Sequence, residues 1–244
     1  MTDPIVARLR AAGCVYAEDE AAFIRRHLGE DVEAAVARRV AGMPLEQAVG
    51  VCEFAGLTVA VAADVFVPRV RAGSIVEVAV AERPDARVVV DLGCGSGALA
   101  AALATRLPDA EVQAVDLDPA AVAVARCNGA RFGFTVHEGS WWSGLPPELR
   151  GRVDLAVAYL PHVPSAAVDG IHPDFRAHEP VAAVDGGVDG LDHLRAVRSG
   201  FDQWLAPDRG DGGGRFVTLL SPDQAGPAGG RVARSGDDAV VVLP

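Results

Sequence analysis

The stretch DLGCGSG, residues 91–97, decides the fold. It follows an apolar run at residues 87–90 that predicts a strand, and it precedes a predicted helix with an apolar stripe at Leu99, Leu103 and Leu107. Three glycines between a strand and a helix let the backbone turn tightly and approach a ligand closely. Because the helix N-terminus also offers free N–H groups, this loop predicts a small-molecule site.

The spacing of the glycines separates this loop from a dinucleotide-binding fingerprint. Gly93, Gly95 and Gly97 follow the pattern G-x-G-x-G, whereas dinucleotide sites carry G-x-G-x-x-G. Asp91 ends the preceding strand, where its charge would repel a pyrophosphate and attract a cation. The ammonium group of an amino-acid moiety, close to a sulfonium, meets that requirement.

A second acidic residue supports the same interpretation. Asp116 ends the next predicted strand, roughly 20 residues beyond the loop, where doubly wound sheets place an acidic acceptor for ribose hydroxyls. Adenosine with an amino-acid tail fits both positions, which predicts S-adenosyl-L-methionine (SAM) as the cofactor. After the third strand, Ser140 could hydrogen-bond and Trp141 or Trp142 could cover the adenine, unless both tryptophans are only structural. The predicted cofactor-binding residues are Asp91, Gly93, Cys94, Gly95, Gly97, Asp116, Leu117, Ser140, Trp141 and Tyr159.

Strands and helices alternate over residues 73–244, the predicted cofactor domain. This alternation predicts an α/β fold whose sheet is mostly parallel, with helices on both faces and an antiparallel hairpin at the C-terminal edge. One helix is predicted over residues 191–205. Residues 208–215 and 222–230 are rich in glycine and proline, which predicts loops.

The N-terminal part follows a different pattern. Residues 1–50 predict three helices that form a small helical domain, either a structural cap or a substrate-recruiting element. Gly42, Pro44 and Gly50 are expected to break this pattern. Residues 51–72 predict a β-hairpin linker with its turn near residues 62–64.

Composition and charge narrow the classes of partner. The net charge is −11 and no Lys/Arg cluster stands out, so nucleic acid is not expected as the main partner. The N-terminus has no apolar signal core and no stretch is long enough to span a bilayer, which predicts a cytoplasmic protein without a membrane partner. The four cysteines form no CxxC pair and His172, His178 and His193 lack ligand spacing, so no metal is expected. The sequence leaves the oligomeric state open.

Several blocks outside the glycine loop resemble the protein-(glutamine-N5) methyltransferases of the HemK/PrmC type, which modify the Gly-Gly-Gln loop of peptide-chain release factors. The resemblance runs from about residue 36 to residue 206. Its particular blocks are Phe66-Val67-Pro68-Arg69, Asp116 with Pro119 and Asn128, His178-Glu179-Pro180, and Asp189-Gly190-Leu191-Asp192 with Arg195. The resemblance implies the Rossmann-like sheet of class I methyltransferases, SAM as cofactor and a release factor as protein substrate.

The Asn-Pro-Pro-Tyr signature of that family is altered here. The four predicted catalytic positions hold Tyr159, Leu160, Pro161 and His162, so only the second proline is kept. In the family, the Asn side chain and the next carbonyl accept the amide N–H bonds, which aims a weakly nucleophilic nitrogen at the methyl group. Tyr159 carries its hydroxyl further out than an Asn oxygen, while the Leu160 carbonyl remains. Tyr159 and His162 would suit a nucleophile that must lose a proton, or they only line the pocket floor.

Two further departures concern the rim of the site. Pro68-Arg69-Val70-Arg71-Ala72-Gly73 stands where the family carries Pro-Arg-Pro-Glu-Thr-Glu, so the contacts over SAM are expected to differ. Residues 222–230 occupy the place of a helix, so substrate contacts from that side are expected to be lost.

Three functions are compatible with these features. The first is methylation of a release-factor glutamine, which the family blocks favour. The second is SAM-dependent methylation of a small molecule or another nucleophile, which Tyr159, His162 and the short tail favour. The third is SAM binding without methyl transfer, since an intact cofactor loop does not by itself establish chemistry.

Overall fold

The computed structural model describes residues 3–29, 31–208, 210 and 212–244. The predicted helical segment at residues 1–50 and the predicted loop at residues 208–215 therefore fall partly outside the described residues. The positions concerned are Met1, Thr2, Glu30, Arg209 and Asp211.

Four helices pack together in the described N-terminal part around a small apolar cluster that contains Leu9, Ile24 and Val36. They are α1 (Pro4–Ala11), α2 (Ala17–Leu28), α3 (Glu33–Val40) and α4 (Leu45–Val49). Only three helices are predicted here, and the prediction missed α4. Pro44 caps the start of α4 and Gly50 ends it with a φ of 90°, so two residues expected to break the pattern instead bound a short helix.

A β-hairpin follows, formed by β1 (Val51–Phe54) and β2 (Leu57–Ala60). Its turn lies at Ala55 and Gly56, with φ of 49° and 82°, so the turn predicted near residues 62–64 is wrong. Two positive φ values are what a two-residue hairpin turn requires. The alternation of valines runs on to residue 67 because Val61 and Val67 are buried in the main core after β2 has ended.

Fourteen further α-helices and β-strands of the described chain form the cofactor domain. Three of them are not predicted from the sequence. In chain order they are α5 (Gly73–Glu82), β3 (Val88–Leu92), α6 (Ala98–Arg106), β4 (Glu111–Asp116), α7 (Pro119–Phe132), β5 (Thr135–Glu138), β6 (Leu155–Ala158), α8 (Pro173–His178), α9 (Asp192–Arg198), α10 (Phe201–Trp204), β7 (Arg215–Leu220), α11 (Pro222–Ala228), β8 (Arg231–Ser235) and β9 (Ala239–Leu243). The domain bounds at residues 50 and 72 remain predictions.

Within the described residues, seven strands form the central sheet in the order β5-β4-β3-β6-β7-β9-β8. The first five are parallel, and β9 pairs antiparallel with both β7 and β8. The predicted fold class, a mostly parallel α/β sheet with an antiparallel C-terminal edge, is confirmed. The chain moves outward from β3 to β5 and then returns to the other side of β3 with β6. Such a switch in strand order opens a crevice at the carboxyl ends of the strands, where ligands bind.

Two predicted segments differ from the structure. The helix predicted over residues 191–205 is two helices, α9 and α10, separated at Gly200. A Cβ at Gly200 would lie 2.3 Å from the indole of Trp142, so the glycine makes room for that ring. The loop predicted over residues 222–230 contains α11, which begins with a capping box between Ser221 and Gln224 and ends at Gly229. The prediction that a loop takes the place of a helix at this position is therefore wrong, because a short helix lies there.

Strand β8 has no counterpart among the predicted strands. Its five residues, Arg231–Ser235, are all exposed at the edge of the sheet, so they lack the apolar alternation that marks a half-buried strand. In the described part of the chain, no helix is long and apolar enough to cross a bilayer.

Candidate active site

The glycine loop is clamped to the neighbouring strand β4. The backbone N–H groups of Gly93 and Cys94 both donate to the Val115 carbonyl at 2.9 Å, and the Gly97 N–H donates to the Cys94 carbonyl at 2.8 Å. The φ angles of Gly93, Gly95 and Gly97 are 70°, 55° and 78°, a region in which side chains other than glycine are strained. The loop thus has a fixed shape before any ligand arrives.

The three glycines serve different neighbours. A Cβ at Gly97 would lie 2.7 Å from the Phe134 ring, and one at Gly93 would lie 3.0 Å from the Trp141 ring. A Cβ at Gly95 would meet no atom of the described residues within 4 Å. Two glycines therefore allow close packing, while Gly95 leaves its backbone open to the cavity beside it.

Asp116 combines a structural contact with exposure to the cavity. Its Oδ2 accepts the Gly95 N–H at 2.7 Å and its Oδ1 accepts the Asp118 N–H at 2.9 Å. Burial raises the pKa of this carboxyl, although both hydrogen bonds oppose the rise. The remaining lone pairs are available for the ribose hydroxyls predicted to bind there.

Asp91 is fully buried, one residue before the end of β3. Its Oδ2 accepts the Ala100 N–H at 3.1 Å, whereas its Oδ1 has no partner among the described residues. Burial raises the pKa of Asp91 to about 7, and the nearby charge of Asp116 adds to the rise. This residue lies behind the loop and is not part of the described cavity wall. Its predicted contact with an ammonium group remains a prediction.

A cavity of about 570 Å³ opens at the carboxyl ends of the parallel strands, a size usual for ligand pockets. Most of the predicted cofactor-binding residues form part of its wall, and Gly97 supports the loop from behind. Those in the wall are Gly93, Cys94, Gly95, Asp116, Leu117, Ser140, Trp141 and Tyr159. The topology therefore brings together positions that are up to 66 residues apart in sequence, such as Gly93 and Tyr159.

The two adjacent tryptophans have different environments. Trp141 lines the cavity beside Gly93, with its ring centroid 5.5 Å from that of His193. Trp142 is buried, its Nε1–H donates to the Val197 carbonyl at 2.6 Å, and its ring stacks on Trp204. Of the two, Trp141 remains the predicted cover for an adenine, whereas Trp142 belongs to the buried core.

The four predicted catalytic positions are divided between the wall and the core. Tyr159 and Pro161 line the cavity, while Leu160 and His162 are buried and lie outside its described wall. His162 Nδ1 lies 2.8 Å from the Leu160 carbonyl, and since a carbonyl only accepts, Nδ1 carries the hydrogen. Burial lowers the pKa of His162, which favours the neutral imidazole. The Leu160 carbonyl, which is predicted to orient the methyl acceptor, thus already accepts one hydrogen bond.

The His-Glu-Pro block and the Phe-Val-Pro-Arg block meet at the cavity rim. Arg69 Nη2 lies 2.5 Å from Glu179 Oε2, and Glu179 Oε1 accepts the Val67 N–H at 2.9 Å. The Arg69 guanidinium also lies 4.4 Å and 4.1 Å from the ring centroids of Phe66 and Phe175. Burial raises the pKa of Glu179, and the charge of Arg69 opposes the rise. The family resemblance marks both blocks, but sequence reasoning alone did not pair them.

Asn128 joins the hairpin to the glycine loop. Its Oδ1 accepts the Ala60 N–H, and its Nδ2 donates to the carbonyls of Ala60 and Ser96, at 2.8 to 2.9 Å. The hairpin is therefore attached to the cofactor loop through one amide side chain.

Sequence reasoning missed part of the cavity wall. The wall also contains Pro180, Ala182, Ala183 and His193, and His193 is named from the sequence only among the histidines that lack metal-ligand spacing. All four lie between His178 and Arg195, a stretch that two of the family blocks bound. Among the described residues, no three His, Cys, Asp or Glu side chains gather as a metal site.

The fold and this site define a SAM-dependent methyltransferase of the Rossmann-like class. A family profile described as "Methyltransferase small domain" matches residues 56–158. Among solved structures, the chain resembles a 16S rRNA N2 methyltransferase of T. thermophilus in complex with AdoMet and guanosine. The TM-score is 0.54 at 20% identity, over 79% of this chain and 49% of the other, which supports the fold alone.

Curated relatives then identify the family. The chain is 39% identical over 203 residues to a release factor glutamine methyltransferase of Geobacter sulfurreducens, covering 82% of this chain and 69% of the relative. It is 36% identical over 216 residues to the Cereibacter sphaeroides protein of that name, covering 87% and 74%. For the Mycolicibacterium smegmatis protein the identity is 41% over 172 residues, covering 70% and 60%. The chain belongs to the release factor glutamine methyltransferase family, although the last match spans less than two thirds of that relative.

Proposed function

We propose that this protein transfers the methyl group of SAM to the side-chain amide nitrogen of the glutamine in the Gly-Gly-Gln loop of a peptide-chain release factor. One observation carries the proposal beyond methyl transfer in general. Two blocks specific to the family, which end at Arg69 and begin at His178, meet in the buried Arg69–Glu179 pair at the rim of the cavity. Phe66, in the first of these blocks, has its ring centroid 5.9 Å from that of Tyr159 at the altered signature.

The residues present fit the cofactor. The unpartnered Oδ1 of Asp91 offers a buried acceptor close to the loop, and Gly95 leaves open space where any side chain would project. Asp116 offers lone pairs for ribose hydroxyls and Trp141 an apolar face for adenine. When bound, SAM supplies an electrophilic methyl group on a sulfonium.

The protein's task is then to orient a poor nucleophile. An amide nitrogen shares its lone pair with the carbonyl, so its rate depends on alignment with the methyl group. Tyr159 and Pro161 form the wall where the family's Asn and second Pro stand. His162 is buried outside the described wall and hydrogen-bonded through Nδ1 to the Leu160 carbonyl, an arrangement that suits support of the turn better than contact with a substrate.

A second candidate function is methylation of a small-molecule nucleophile. The observation that favours it is Tyr159 at the position of the family's Asn, where the amide acceptor is lost.

Release factors act in the cytoplasm, so the first function implies a cytoplasmic protein with a release factor as its partner.

The deciding experiment uses the full-length protein, SAM and a release factor from the same organism. Mass spectrometry of the Gly-Gly-Gln peptide should show one added methyl group, and much less of it at limiting SAM when Asp116→Ala replaces the parent. Absence of the methyl group, with SAM binding verified by calorimetry, would refute the first function. Glutamine methylation that appears only in Tyr159→Asn would favour the second.

A further inference from the structure

Two departures from the family pattern touch each other in this structure. Arg71, which stands where the family carries a glutamate, donates from Nε to the hydroxyl of Tyr159 at 2.8 Å. Its Nη1 donates to Asp238 Oδ1 at 3.1 Å, in the turn between β8 and β9. Tyr159 stands where the family carries asparagine. The two altered positions are therefore one hydrogen-bonded unit, anchored by a third residue.

The ring of Tyr159 is held as firmly as its hydroxyl. Its centroid lies 5.9 Å from that of Phe66 and 5.5 Å from that of His162. Tyr159 lines the cavity, whereas Arg71 lies outside the described wall with half of its side chain exposed. The contact of Arg71 with a residue of the cavity wall is thus its hydrogen bond to Tyr159.

The direction of the Arg71–Tyr159 bond determines what the hydroxyl can offer. A guanidinium has donors only, so the Tyr159 oxygen is the acceptor in this bond and its own proton remains available. An asparagine at this place would present an acceptor to the N–H bonds of an amide. The phenol, oriented by Arg71, presents a donor, whose natural partner on an amide is the carbonyl oxygen.

We infer that Arg71 is a positioning residue which orients the Tyr159 hydroxyl to donate its proton to an oxygen of the methyl acceptor, and that Asp238 fixes Arg71 for this purpose. The inference rests on the proposed function, under which that oxygen is the glutamine amide oxygen. In the transfer, the nitrogen–carbon bond forms, the sulfur–carbon bond breaks, and the nitrogen releases one proton to solvent while Tyr159 keeps its own. The amide begins and ends neutral, so the hydrogen bond acts by holding the amide through its oxygen, with the nitrogen aligned on the methyl group.

The chain allows a direct readout of this contact, because it contains only two tyrosines. In a Tyr16→Phe background, Tyr159 is the single site for meta-fluorotyrosine and gives one fluorine NMR signal. Tyr16 is 70% exposed at the start of α2 and is not part of the described cavity wall. With S-adenosylhomocysteine bound, a Gly-Gly-Gln peptide should shift this signal, whereas a peptide with methionine in place of glutamine should not. Arg71→Met should abolish the shift.

Steady-state kinetics on the release factor provide a second test of the inference. Arg71→Met and Tyr159→Phe should each lower kcat/KM on the release factor by about tenfold to a hundredfold, the range expected when an acceptor is misaligned. The double variant should be no slower than Tyr159→Phe, because Arg71 acts through the hydroxyl. Arg234→Met is the matched control. Arg234 lies on the β8–β9 hairpin that also carries Asp238, and its substitution breaks an exposed ion pair with Glu77 of α5. This variant should keep the parent kcat/KM.

The outcomes separate the two proposals. Full kcat/KM in Arg71→Met, or a double variant clearly slower than Tyr159→Phe, would overturn the inference and leave the proposed function standing. A glutamine-specific fluorine shift that needs Arg71, without methylation of any release factor, would overturn the proposed function and leave the contact standing. Absence of both the shift and the methylation would overturn both.

Discussion

The backbone N–H of Gly95 lies 2.7 Å from Oδ2 of Asp116, so the acidic residue at the end of β4 also holds the middle of the glycine loop. Removing this carboxylate would affect the cofactor twice. It would remove the predicted acceptor for the ribose, and it would free the one loop glycine whose backbone faces open space.

Asp116→Ala should therefore weaken SAM binding strongly. Its effect on the stability of the fold should be much smaller. Calorimetry should show a loss of at least about tenfold in affinity, the equivalent of one charged hydrogen bond. Asp154→Ala is the control, because Asp154 Oδ2 likewise accepts two backbone N–H groups, from Arg87 and Val88, at the opposite end of β3. It should lower the melting temperature and leave SAM affinity unchanged. Equal affinities for both variants would contradict the assignment of Asp116.

Asp91 should make stability depend on pH in a defined direction. In the folded protein the Asp91 carboxyl has a pKa of about 7, so it stays protonated below that pH. In the unfolded chain its pKa is near the ordinary value of 3.8. The unfolded state therefore binds fewer protons in this window, and the free energy of unfolding falls as pH rises from about 4 to 7. Three pKa units correspond to on the order of 4 kcal/mol.

The measurement compares Asp91→Asn with the parent in urea at several pH values. The stability of the variant relative to the parent should rise between about pH 5 and pH 7 and then level off. A difference that is flat across this range would show that Asp91 is ionised in the folded protein throughout.

Breaking the Arg69–Glu179 pair should cost about 3 kcal/mol of stability, because Glu179→Ala leaves a mostly buried guanidinium without its partner. The Val67 N–H would lose its acceptor as well. Glu77→Ala breaks an ion pair with Arg234 in which both side chains are more than half exposed, and it should leave the free energy of unfolding almost unchanged. Denaturant unfolding measures both, and similar losses would refute the structural role given to Glu179.

Alanine at two neighbouring glycines should have separable effects. Both Gly95 and Gly97 have positive φ, so each substitution carries backbone strain of about 1 kcal/mol or more. Only Gly97→Ala adds a clash, since its Cβ would lie 2.7 Å from the Phe134 ring. Gly97→Ala should thus lower the melting temperature more, while Gly95→Ala should fold and lose SAM affinity. The reverse ranking in thermal melts would contradict the described packing.

Sequence patterns predicted the sheet because its strands obey simple rules. β3 and β6 are buried along their whole length and read as continuous apolar runs, and the glycine loop marks the start of α6. The cofactor side of the cavity followed from the same signals, since Asp91 and Asp116 end adjacent parallel strands. These features are local in sequence or set by strand order.

The acceptor side could not be predicted in this way. The contact between Arg71 and Tyr159 spans 88 residues, and that between Arg69 and Glu179 spans 110. No local pattern encodes such pairs. Strand β8 and helix α11 were missed for different reasons: the first has no buried face, and the second depends on a capping box within a stretch rich in glycine and proline.

Asn128 has a consequence for dissecting the protein into parts. Its amide grips both the N–H and the carbonyl of Ala60, as a neighbouring strand would, and reaches Ser96 in the glycine loop. A fragment cut at the predicted linker boundary of residue 73 would leave this amide without Ala60 and strip the cofactor loop of a brace. An excised catalytic module, or a chimera that swaps N-terminal helices between relatives, should therefore place its junction before Val51 and carry the whole hairpin along.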